Sequence, residues 1–140
     1  MIERTELVWT GTSRKDLRDF PKEVRIDIGF ALEDVQEGLK PSNAKILQGF
    51  GGASVLEIKA DSEDGNTYRS VYTVKFSGRI YVLHCFNKKS TQGIKTSQQD
   101  IDMVKRRLKL AEELHKEWLQ KSEAESLQKQ SPPTQTPKKK

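Results

Sequence analysis

The sequence predicts a small α+β domain, in which two N-terminal helices pack on an antiparallel β-meander that a C-terminal helix follows. Three observations predict this class. Apolar residues recur at helical spacing between Val24 and Leu39, three runs of strand-forming residues follow with short polar turns, and a second helical stripe runs from Ile101 to Trp118. The chain of 140 residues suffices for one such domain.

The first part of the chain is predicted to form one strand and two helices. The strand covers Glu6 to Trp9, and a short helix from Arg14 to Asp19 stops before Pro21. Pro21 suits the first turn of a second helix, which Gly38 and Pro41 end. The apolar stripe of this helix consists of Val24, Ile28, Ala31, Leu32, Val35 and Leu39.

A meander and a last helix are predicted next. The last helix starts at Thr96 or Ser97 and ends near Lys121, so that residues 1–121 form one domain. Residues 122–140, rich in Ser, Gln, Pro and Lys, read as a disordered tail. Two helices can cover one face of the sheet, which leaves the other face to solvent or ligand. The three predicted strands are Ser54–Ala60, Thr67–Phe76 and Ile80–Asn87.

Composition argues against several classes of protein. No apolar run approaches the ~20 residues needed to span a bilayer, and the N-terminus lacks the pattern of a secretory signal. We therefore expect a cytoplasmic protein. The single Cys85 excludes an intramolecular disulfide and a multi-cysteine metal site. His84 and His115 lack metal-ligand spacing and no Walker-type loop is present, so we expect no metal and no nucleotide cofactor.

Positive charge is concentrated in the later part of the domain. Residues 1–78 carry 11 cationic and 13 anionic side chains, a net charge of −2, whereas residues 79–121 carry 10 and 5, a net charge of +5. This asymmetry favours an anionic partner, such as nucleic acid or an acidic protein.

Charged side chains on the predicted strands could form a catalytic site. Alternation along a strand puts Glu57 and Lys59 on one side, and Arg69 of the next strand can share the open face with them. Cleavage of RNA without metal needs a base for the 2′-hydroxyl, a cation for the phosphorane and an acid for the leaving oxygen. Glu57 or Lys59 could be the base, and Arg69 could stabilise the charge. Lys88, Lys89 or His84 could bind phosphate or supply the proton.

Each of these residues also has an ordinary structural interpretation. Glu57 and Lys59 can be solvated surface, Arg69 can form a structural ion pair, and His84 can be a core histidine. The basic run at 105–107 can be a solvated helix face or a nucleic-acid surface.

Four stretches together resemble the RelE/ParE toxin superfamily, and its phage-derived branch related to HigB in particular. Leu56-Glu57-Ile58-Lys59 resembles the family's Trp-Glu-Leu-Arg strand, and Tyr68-Arg69-Ser70-Val71-Tyr72 its Tyr-Arg-x-x-Tyr strand. Leu83-His84-Cys85-Phe86-Asn87-Lys88-Lys89-Ser90-Thr91 resembles its Leu-His-x-Phe-x-Lys-Lys-Thr run, and Arg106-Arg107-Leu108 lies on the following helix. The resemblance covers about residues 5 to 112.

The resemblance implies a RelE-like fold and the activity of a toxin in a type II toxin–antitoxin pair. Such toxins cleave mRNA without metal, commonly on the ribosome, and an antitoxin neutralises them, often a helix-turn-helix DNA-binding protein. By position, Arg69 matches the family's phosphate-binding arginine and Lys59 its basic residue on the preceding strand. The residues expected to bind RNA or phosphate are Lys88, Lys89, Thr91, Lys95 and Arg106.

Two other functions are compatible with the sequence. A ParE-like toxin would bind gyrase without RNA chemistry, and an inactive relative would bind only an antitoxin or RNA. The family's C-terminal tyrosine or histidine has no clear counterpart after Lys109, which keeps the inactive relative in consideration. The basic bias of residues 79–121 and the Lys88-Lys89 pair favour the ribonuclease, because clustered cations suit a polyanion.

Overall fold

The computed structural model describes residues 4–89 and 96–130, and side chains within them up to 88 and 128. Its order of elements confirms the predicted α+β class and the two helices before the meander. The elements are β1 (Glu6–Trp9), α1 (Ser13–Arg18), α2 (Lys22–Gln36), β2 (Ala44–Ile46), β3 (Val55–Asp61), β4 (Asn66–Thr73), β5 (Arg79–Lys89) and α3 (Gln98–Gln130). None of the helices in these two ranges is both long and apolar enough to cross a bilayer.

One five-stranded sheet, in the order β1-β5-β4-β3-β2, organises the fold. Strands β3, β4 and β5 form the predicted antiparallel meander. The N-terminal strand β1 pairs with β5 in parallel, and β2 adds an antiparallel edge to β3. The sequence did not predict β2, because three residues are too few to show strand alternation.

The helix α2 covers one face of the sheet, as its apolar stripe predicts. Val24 and Ile28 are fully buried and lie in one core cluster with Ile58 and Tyr72 of the sheet. Leu17 of α1 packs against the same cluster. Burial of this apolar area is the main term that holds these helices on the sheet.

The expectation that the opposite face of the sheet is open to solvent or ligand is wrong. Val104 and Ala111 of α3 are fully buried in a second core cluster with Val71 and Leu83 of the sheet. Both surfaces are apolar, so leaving them in water would cost more free energy than docking the helix. The face toward α3 is called the site face below, because its other half carries the charged residues.

The last helix also extends beyond the predicted domain boundary. It continues without interruption from Lys121 to Gln130, so 122–130 is helical and not disordered. These nine residues contain no Pro or Gly and consist largely of helix-forming residues, which the compositional interpretation underweighted. The remaining predicted tail, residues 131–140, lies outside the described residues.

Candidate functional site

A β-bulge in β5 determines which side chains reach the site face. Val71 pairs with His84 whereas Tyr72 pairs with Val82, so Leu83 is an extra residue in β5. As a result Leu83 and His84 both turn toward α3, and alternation then places Phe86 and Lys88 on the same side. Without the bulge, His84 and Lys88 would point toward α2.

Glu57 and Arg69 form a buried ion pair on the site face. Nη1 of Arg69 donates to Oε1 of Glu57 at 2.6 Å, and the two residues are 2% and 1% exposed. Thr96, just before α3, donates its hydroxyl to Oε2 of Glu57 at 2.7 Å. The interpretation of Glu57 as solvated surface is therefore wrong, because the start of α3 covers it. Each oxygen of its carboxylate already accepts one hydrogen bond.

Lys88 brings a second cation beside this pair. The residue is 8% exposed, and its Nζ has no hydrogen-bond partner among the residues that the structure describes. Burial and the neighbouring Arg69 lower the pKa of Lys88, against the opposite effect of Glu57 and Asp100. A buried ammonium group without a bonded anion is costly, and a bound anion would relieve that cost.

His84 is held by the first turn of α3. Its Nε2 lies 2.9 Å from Oδ1 of Asp100, and its ring stacks on Phe86 with centroids 4.7 Å apart. Asp100 in turn accepts a hydrogen bond from Ser97 at 2.8 Å. If Nε2 carries the proton toward Asp100, the buried Nδ1 is left as an acceptor. The sequence interpretation missed Asp100, although a Ser-x-x-Asp helix start was visible.

Two further lysines border the ion pair. Lys59 lies directly opposite Arg69 in the β3–β4 register and is half-buried. Lys45 lies opposite Glu57 on β2 and is exposed. Sequence analysis missed Lys45 because it missed β2. The four positive residues around Glu57 are called the cation cluster: Lys45, Lys59, Arg69 and Lys88.

Among the remaining predicted site residues, the structure describes the side chain of Arg106. Arg106 is exposed on α3 in a shallow groove with Lys105 and Lys109. Lys89 is the last residue of β5, while Thr91 and Lys95 lie outside the described residues. Within 4–89 and 96–130, no three His, Cys, Asp or Glu side chains converge as metal ligands would.

Comparison with known proteins places this geometry in a family. The model of the family described as Phage derived protein Gp49-like (DUF891) matches residues 15–109, more than half of the chain. No protein of curated function matches it. A mutant of the E. coli toxin RelE in the free state is similar with a TM-score of 0.53 and 23% identity, over 74% of this chain and 97% of that one.

Two other solved structures are similar at lower TM-scores. The isolated E. coli RelE toxin, in its P21 form, is similar with a TM-score of 0.48 and 25% identity, over 73% of this chain and 97% of that one. The toxin–antitoxin complex RelBE2 from Mycobacterium tuberculosis gives 0.44 at 20% identity, over 63% of this chain and 95% of that one. The family match and the shared fold confirm the resemblance inferred from the motifs. The chain belongs to the phage-derived Gp49-like family, and its fold is similar to that of the E. coli toxin RelE.

Proposed function

We propose that this protein is the toxin of a type II toxin–antitoxin pair and a metal-independent endoribonuclease that cleaves mRNA, with the ribosome as the place of cleavage. One observation carries the proposal. The buried Nζ of Lys88, which lies beside Arg69, has no hydrogen-bonded anion among the described residues. Two cations on one sheet face suit a phosphodiester, and the similarity of the fold to the RelE toxin supports that substrate.

The contacts of the site residues support one assignment of roles. Arg69 and Lys88 hold the scissile phosphate and stabilise the charge of the phosphorane. Glu57 positions Arg69 through the hydrogen bond at its Oε1 and is itself held by Thr96 at Oε2. His84, fixed at Nε2 by Asp100, transfers the proton, and Lys59 assists from the neighbouring strand.

The 2′-hydroxyl loses its proton to Nδ1 of His84 as its oxygen bonds to phosphorus, and the bond from phosphorus to the 5′-oxygen breaks. That oxygen takes up the proton from His84 and leaves. The products are a 2′,3′-cyclic phosphate and a new 5′-hydroxyl end.

The test is induction of the wild-type chain, Lys88→Met and Lys40→Met in a bacterial host, with growth recorded and 5′-hydroxyl ends of mRNA mapped. Lys88→Met keeps the Glu57–Arg69 pair intact, whereas Arg69→Ala would leave a buried carboxylate unpaired. Lys40 is an exposed lysine that lines a different cavity, one that no residue of the cation cluster lines, and it serves as the control.

We expect growth arrest and in-frame 5′-hydroxyl ends with the wild type and Lys40→Met, both lost with Lys88→Met. Arrest without new ends would contradict the ribonuclease and favour a ParE-like toxin that binds gyrase. An absence of arrest would favour an inactive relative that binds antitoxin or RNA.

A cognate antitoxin is the second part of the proposal. We expect a helix-turn-helix DNA-binding protein encoded nearby, and a ribosomal target implies the cytoplasm as the location. The closer relation to HigB rests on the sequence motifs. Co-expression of the neighbouring gene should restore growth, and continued arrest would argue against that partner.

A further inference from the structure

A cavity of about 430 Å³ lies beside the cation cluster, between the edge of the sheet and the start of α3. Its volume falls within the ~300–1,000 Å³ of small-molecule sites. Leu47 and Ile101 supply apolar walls, while Gln48, Thr96 and Glu57 supply polar groups. Apolar walls with a few convergent polar groups are typical of a small-molecule binding site.

Glu57 is shared between this cavity and the cation cluster. Its carboxylate lines the cavity, and at the same time one of its oxygens accepts the hydrogen bond of Arg69. If Arg69 and Lys88 hold an anion, the carboxylate of Glu57 therefore lies between that anion and the cavity. Lys45, which is exposed, also lines it and carries positive charge to its mouth.

We propose that the cavity accepts a nucleobase of the nucleotide whose phosphate is bound at Arg69 and Lys88. The inference rests on the proposed function and adds to it a base-reading site. Single-stranded RNA is recognised through bases turned out of the stack, with apolar side chains on their faces and hydrogen bonds on their edges. Leu47 and Ile101 suit the faces of a base, and Lys45 suits the RNA backbone.

The polar groups determine which edge fits. An ionised carboxylate only accepts hydrogen bonds, and each of its oxygens can accept more than one, so Glu57 favours a base edge that presents N–H donors. The hydroxyl of Thr96 is committed to Glu57. The side-chain amide of Gln48 can donate and accept, and it is therefore the specificity-determining group.

The test is an NMR titration of the isolated, full-length protein with the four nucleoside 5′-monophosphates, and with ribose 5-phosphate and inorganic phosphate as probes without a base. We expect at least one nucleotide to shift the methyl resonances of Leu47 and Ile101 and to bind about tenfold tighter than ribose 5-phosphate. The ranking of the four nucleotides distinguishes a purine site from a pyrimidine site.

Matched variants locate the effect. Ile101→Ala should weaken nucleotide binding about fivefold, because it removes apolar contact with the base, and should leave ribose 5-phosphate unaffected. Leu108→Ala is the control, since Leu108 is another half-buried residue of α3 in the same core but does not line the cavity. Gln48→Ala, at an exposed position, should change the ranking of the bases without unfolding the protein.

The inference is overturned if ribose 5-phosphate binds as tightly as every nucleotide, or if Ile101→Ala and Leu108→Ala have equal effects on nucleotide affinity. Neither result depends on the ribosome. A chain that binds nucleotides in the cavity but generates no 5′-hydroxyl ends refutes the ribonuclease alone. A chain that cleaves mRNA although the base adds no affinity refutes the base-reading site alone.

Discussion

The substitution Lys88→Met should stabilise the folded protein and also abolish its cleavage of mRNA. Leaving a buried polar group unsatisfied costs ~1–3 kcal/mol. In the folded protein the attraction of Glu57 and Asp100 offsets part of this cost for Lys88, whereas Arg69 and Lys45 add to it. We therefore expect the free energy of unfolding of Lys88→Met to exceed that of the wild type by about 1 kcal/mol, the lower end of this range.

The pH dependence of this difference has a definite sign. Because the pKa of Lys88 is lowered in the folded state, the folded protein binds fewer protons than the unfolded one between that pKa and the ordinary value of 10.5. The stability of the wild type relative to Lys88→Met therefore rises across this window. The advantage of the variant is largest near neutral pH and shrinks as the pH approaches 10.5.

Urea unfolding of both proteins between pH 7 and pH 10 measures the difference. The exposed Lys40→Met should change the free energy of unfolding by less than about 0.5 kcal/mol. A Lys88→Met variant that is about 1 kcal/mol less stable than the wild type would refute the reasoning. It would mean that the ammonium group has a stabilising partner in the folded protein and is not available to phosphate.

Four further predictions follow from other contacts. Arg69→Ala should lower the free energy of unfolding by ~3–5 kcal/mol, because Glu57 is left buried and unpaired. If urea unfolding shows a decrease of less than about 1 kcal/mol, the buried ion pair with Glu57 is refuted. Gly78→Ala should cost ~1–3 kcal/mol, since Gly78 has a φ of +94° and a Cβ there would lie 3.0 Å from the Trp118 ring; an unchanged Tm would contradict this. Burial and the nearby Arg79 lower the pKa of His115, so acidification from pH 7 to pH 5 should destabilise the wild type more than His115→Phe in thermal melts; parallel losses would exclude His115 as the cause. Burial raises the pKa of Cys85 to about 12, so its thiol should react with a disulfide reagent only after unfolding; rapid reaction of the native protein would show that it is accessible.

Sequence patterns predicted the elements whose partners are near in the chain. The stripe from Val24 to Val35 became the buried face of α2, and strand alternation with short turns predicted the β3–β4–β5 meander. Local periodicity carries this information, because each element is amphipathic on its own. The parallel pairing of β1 with β5 joins segments more than 70 residues apart and left no comparable local signal.

For the candidate site, the sequence supplied candidate residues but not how they pair. Lys59 lies directly opposite Arg69, yet the guanidinium bonds diagonally to Glu57, and only the register of β3 and β4 determines that choice. Asp100 and Lys45 joined the site through α3 and β2, whose positions on the sheet no pattern predicted.

The sequence by itself determined the α+β class, the superfamily motifs and the charges available for binding an anion. Tertiary structure decided that α3 covers half of the site face, that Glu57 is buried against Arg69, and that a bulge turns His84 and Lys88 toward them. The reason is physical. Periodicity and composition are properties of one segment, whereas burial and pairing depend on which distant segment packs against it.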